Sequence, residues 1–121
     1  MSDVLTPVAV ERRLRDLGKE LDEASAKCEA AEFNYVQAKI DFDLGSAKER
    51  LRIRDRALER GAKVTVQEIE DNALVNCATQ YTNVNIAEAT VKAARANVSR
   101  IKTQIDIARS VGTSVRASLE V

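Results

Sequence analysis

The sequence predicts an all-α protein: a long antiparallel two-helix coiled-coil hairpin, assembled into a dimer or a higher helical bundle. Two apolar stripes and the punctuation between them carry this expectation. Val10, Leu14, Leu17, Leu21, Ala24, Cys28, Ala31, Tyr35, Ala38, Phe42 and Gly45 follow one another at alternating spacings of four and three. Val84, Ala87, Val91, Ala94, Val98, Ile101, Ile105, Ala108, Gly112, Val115 and Leu119 repeat the rule. A stripe recurring every 3.5 residues is that of a helix built to lie along another.

The elements follow in order. Thr6-Pro7 supplies a capping hydroxyl and a proline at the first helical position, where its missing N–H costs nothing, so helix one is expected over 7–60. Gly61 is the natural residue just past its end, and the loop is expected at 61–65. Thr65 with Glu68 forms a capping box, and Val64 with Ile69 a hydrophobic staple, which open helix two over 66–111. The tail, 112–121, begins with Gly112-Thr113-Ser114, yet Val115 and Leu119 keep the heptad phase, so it is either a frayed extension or a last docked turn. All of this makes one helical-hairpin domain over 1–121, with no linker-like run.

Pairing the stripes antiparallel leaves a choice of register. One choice sets large against small: Tyr35 on Ala94, Phe42 on Ala87, Leu21 on Ala108, Leu17 on Gly112 and Gly45 on Val84. Displacement by one heptad sets Leu17 against Ile105, Leu21 against Ile101 and polar Gln80 opposite Phe42, a poorer match of sizes. The first register is therefore expected. Charge favours the antiparallel sense, because Lys48–Lys63 holds seven bases to three acids while no base occurs from Val64 to Val91.

Composition limits the other possibilities. The 121 residues are 45% hydrophobic with 3% aromatic, and 19 bases balance 19 acids. No apolar run approaches the ~20 residues of a membrane span, and Met1-Ser2-Asp3 opens without the basic segment of a signal peptide. The expected location is the cytoplasm, with Cys28 and Cys77 as reduced thiols.

A two-helix seam leaves most of each helix wet, and a second apolar set stands ready to be covered. Phe33, Val36, Ile40, Leu44, Ala47, Leu51 and Leu58 lie off the seam of helix one, and Leu74, Ala78, Tyr81, Ile86, Ala89, Ala93 and Ala96 off that of helix two. The main stripe loses phase after Gly45, where Glu49 and Arg52 fall on its positions while Leu44, Leu51 and Leu58 continue at sevens. Phe33, Val36, Ile40, Leu44 and Leu51 are the candidate partner-binding residues, for a second copy of the chain or a different protein.

Catalytic chemistry has little to work with. The chain has no histidine and no tryptophan, and in the acidic clusters Asp41 with Asp43, and Glu68 with Glu70 and Asp71, neighbours two residues apart point to different sides of a helix. Gly18, Gly45, Gly61 and Gly112 are isolated and make no phosphate-binding loop. No catalytic residue, metal site, cofactor or small-molecule substrate is expected. One constellation suits nucleic acid: Lys48, Arg50, Arg52, Arg54, Arg56, Arg60 and Lys63, with seven bases against three acids, give a local balance of +4. Electroneutrality overall and the lack of an aromatic within the cluster weigh against it.

The segments Glu11-Arg12-Arg13-Leu14-Arg15-Asp16-Leu17, Tyr35-Val36-Gln37-Ala38-Lys39, Lys63-Val64-Thr65-Val66-Gln67-Glu68 and Gln104-Ile105-Asp106-Ile107-Ala108-Arg109-Ser110 together resemble small coiled-coil proteins encoded by tailed phages and prophages, particularly of high-GC actinobacteria. The resemblance implies an accessory protein of the host cytoplasm, expressed alongside recombination or replication genes, and it assigns no catalytic residue. The expected function is thus a non-enzymatic, oligomeric protein-interaction scaffold. The alternative is a recombination or replication accessory factor that contacts DNA through the basic tip.

Overall fold

The computed structural model describes residues 6–120, and among them the chain is all-helical: α1 (Pro7–Glu59), α2 (Val66–Asn76) and α3 (Ala78–Leu119), without a strand. The helix ends use the chemistry that the sequence places there. The Ala9 N–H donates to Thr6 Oγ1 at 3.1 Å, and the Glu68 N–H donates to Thr65 Oγ1 at 3.1 Å, each relieving a donor that the first turn leaves unpaired. Past α1, Gly61 adopts φ +64°, a left-handed conformation that costs a residue with a Cβ. Its N–H donates to the Leu58 carbonyl, and that of Ala62 to the Ala57 carbonyl at 2.9 Å, so two terminal carbonyls are satisfied by one turn.

Three boundaries differ from expectation. Helix two is not continuous over 66–111: α2 stops at Asn76, Cys77 takes φ −106° and ψ 25°, and α3 begins at Ala78. The Cys77 N–H is shared between the Ala73 and Leu74 carbonyls at 3.0 and 3.2 Å, and its own carbonyl accepts from Tyr81 at 2.9 Å. Neither glycine nor proline marks the break. The tail is the second difference, since α3 runs on through Leu119, the Thr113 hydroxyl bonding back to the Arg109 carbonyl inside it. Val115 is half-buried there and Leu119 exposed. Helix one ends at Glu59, one residue short of the expected limit.

Two compact units divide the chain. The first joins residues 6–30 to 92–120. Its core is Leu17, Ala24 and Ile101, with Leu21, Val98, Ile105 and Ala108 packed against them; Leu17 is fully buried and Ile101 2% exposed. At one end of this unit Val10 lies on Gly112, so closely that a Cβ added at the glycine would stand 2.9 Å from Val10 Cγ1.

The second unit spans Ala31–Val91. Ser46, Ala57, Ala73 and Cys77 are buried in it, with Glu49, Ile53 and Ile69 half-buried. Gly45 lies against the Cys77 thiol, a Cβ there falling 3.8 Å from Sγ, and the rings of Phe42 and Tyr81 meet at 5.6 Å, tilted by 52°. The inward positions of α1 therefore do not lapse after Gly45. They continue through Glu49, Ile53 and Ala57 at steps of four, and Leu44, Leu51 and Leu58 stay exposed.

These contacts correct the expected register. Gly112 receives Val10 rather than Leu17, and Gly45 receives Cys77 rather than Val84, a displacement of one heptad within each unit. In place of the alternation of large with small side chains, the observed pairing sets Leu17 and Leu21 in one core with Ile101 and Ile105. The objection that Gln80 would oppose Phe42 is met by the break at Cys77, beyond which Tyr81 packs on that ring.

Candidate interaction surface

Apolar side chains of α1 line up twice between residues 31 and 58. At 3.6 residues per turn, Phe33, Val36, Ile40, Leu44, Ala47, Leu51 and Leu58 fall on a single narrow face, nearly opposite the one that carries Ala31, Phe42, Glu49 and Ile53. The inner face is covered within the second unit. The outer one is open: its large residues range from 45% exposed at Ile40 to 72% at Leu58. All five residues proposed for partner binding lie on it. Val66, Leu74, Val75, Tyr81 and Ile86 of the same unit are exposed as well, whereas in the first unit Val8, Ile107 and Leu119 are the exposed large hydrophobics among the described residues.

The bases of the tip do not form one patch. Arg50 projects on one side of the outer strip and Lys48 and Arg52 on the other, with Leu51 between them, while Arg54 lies at the edge of the strip itself. Arg52 pairs with Glu49 at 2.7 Å, and Glu49 also accepts from Asn76 Nδ2 at 3.0 Å. The hydrogen bond from Arg52 and then that from Asn76 hold the Glu49 carboxyl below its ordinary value, and the same pairing raises Arg52. Arg50 donates to the hydroxyl of buried Ser46 at 2.8 Å, which ties the guanidinium to the rim of the core. Among the described residues Lys48, Arg54, Arg56, Arg60 and Lys63 enter no ion pair, although the charge of Arg56 acts on the Glu49 carboxyl.

A shallow groove of about 310 Å³ in the first unit is lined chiefly by Val10, Arg13, Gln104, Ile107 and Val111. Sequence reasoning passed over it, though Ile107, between the seam residues Ile105 and Ala108, was the signal that could have found it. Cys28 and Cys77 form no disulfide, and Cys77 is 2% exposed. Among the described residues, no three of the Cys, Asp and Glu side chains converge as a metal ion would require, and no helix is long and apolar enough to cross a membrane. The chain matches no family model, and neither the curated proteins nor the solved structures give a significant match.

Proposed function

We propose that this chain is a non-enzymatic coiled-coil interaction protein, an antiparallel helical hairpin that works by binding protein along the outer face of α1. The observation that supports this most directly is the open apolar face from Phe33 to Leu58, on a helix segment whose opposite face is already covered. Water contact over a contiguous strip of this kind is unfavourable, and a protein partner is the ordinary way to remove it. The likeness to phage-encoded accessory proteins points to a role in assembly or in support of recombination and replication. The test replaces Ile40 and Leu51 by lysine. Both lie outside the inner face, so the loss of self-association by sedimentation equilibrium with helicity retained is the expected result; unchanged association refutes the reading.

Binding of DNA through the basic tip is the second reading, favoured by the bases that carry no ion pair. It predicts binding that falls steeply with salt, because each neutralised phosphate releases counterions. Reversing Arg50, Arg54 and Arg56 to glutamate then abolishes binding with the helices intact. Distribution of the bases around the helix rather than along one line argues against it.

A further inference from the structure

The seam positions 33, 37, 40, 44, 47, 51, 54 and 58 of α1 read the same in both directions as apolar and polar residues, and the charges beside them reverse sign about the same midpoint. We infer that its occupant is a second copy of this chain, docked antiparallel on the same strip about a two-fold axis between Gly45 and Ser46; this rests on the interaction reading above and specifies the partner and its register. In that arrangement Phe33 packs on Leu58 of the other copy, Ile40 on Leu51, and Leu44 on Ala47, so that every large residue at a seam position meets an apolar partner. Gln37 meets Arg54, the one polar layer. Flanking positions are equally complementary: Asp41 falls beside Lys48 and Asp43 beside Arg50, and the axis generates each pair twice.

Orientation follows from the charges and from Arg54. Residues 48–59 carry five bases and three acids, a balance of +2, and residues 32–43 carry one base and three acids, a balance of −2. The antiparallel dimer lays one segment against the other. A parallel dimer of the same strip stacks the two basic segments side by side and brings Arg54 against Arg54 inside the seam, two like charges partly removed from water.

Two measurements test the inference together. The variant pair Asp41→Lys with Asp43→Arg, and Lys48→Asp with Arg50→Asp, gives each molecule flanks of one sign. Each variant alone is expected to dimerise more weakly by about tenfold or more, and an equimolar mixture to recover a heterodimer. Circular dichroism of each variant reports whether the loss of the Arg50 to Ser46 bond has cost helix, and recovery in the mixture is itself proof that both are folded.

For orientation, Asn34→Cys and Asp55→Cys are placed separately in a background carrying Cys28→Ala and Cys77→Ala and treated with a short bismaleimide. Cross-linking is expected only when the two are mixed, since the antiparallel register keeps the two copies of position 55 about 30 Å apart. Cross-linking of Asp55→Cys to itself overturns the antiparallel register while leaving the interaction reading in place. So does a dimer that ignores the charge reversals. A helical monomer at every concentration overturns self-association outright, and leaves capture of a different protein as the form of the interaction reading still to be met.

Discussion

At the scale of single residues the glycines of α1 and α3 make opposite demands. Gly18 has no atom within 4 Å of where a Cβ would stand, so Gly18→Ala is expected to stabilise the chain by about 0.5–1 kcal/mol, through helix propensity alone. Gly112→Ala sets the same gain against a Cβ 2.9 Å from Val10 Cγ1, the branch of a stiff and buried side chain. Overpacking of about 1–3 kcal/mol outweighs it, and the variant is expected to melt lower. Urea unfolding of the two variants beside the parent checks both signs. Leu17→Ala provides the scale, because a fully buried leucine is expected to cost about 2–5 kcal/mol. The outward placing of Phe33, Ile40 and Leu51 was legible from spacing alone. That Gly112 would accept Val10 was not, since two registers one heptad apart satisfy the same stripe and the match of large with small side chains favoured the other one.

Helix ends were the most legible of the elements. Thr6, Gly61 and Thr65 act as their types dictate, and Thr65→Ala is expected to cost about 0.5–2 kcal/mol, read as a lower thermal midpoint. The interruption at Cys77 was not legible, because Val75-Asn76-Cys77-Ala78 contains no breaker. Glu49 belongs to the same lesson. As a charge on an apolar stripe it reads as a loss of phase, yet Arg52 and Asn76 satisfy it at the edge of the core. Its carboxyl titrates below the ordinary 4.5 in the folded chain. The stabilisation from its ionised form is therefore present above that value and is lost as the pH falls through the lower folded one. Glu49→Gln is expected to lower the melting temperature at neutral pH, with the difference from the parent closing as the solution is acidified below 4.5.

At the scale of the whole molecule, exposed apolar side chains gather in one of the two units and not in the other. Among the described residues, eleven of the fourteen exposed large hydrophobics belong to the unit Ala31–Val91. The self-association proposed above would make the stability of that unit depend on protein concentration, and dilution is then expected to lower its melting temperature. An engineered disulfide that closes the first unit, far from the strip in sequence, leaves that dependence in place. Concentration-dependent calorimetry distinguishes this from a folded monomer, whose midpoint is the same at every concentration.

The eleven-residue length of α2 has a kinetic consequence. A helix so short is marginal in water on its own, because nucleation is costly and few hydrogen bonds follow it. Cys77 separates it from the long run of α3, so it can open without unravelling its neighbour. Amide protons over 66–76 are expected to exchange with solvent through a partial opening of lower free energy than global unfolding, and ahead of those around Leu17 and Ile101. Docking of a partner on the unit that contains α2 then registers as a slowing of exchange at amides the partner never touches.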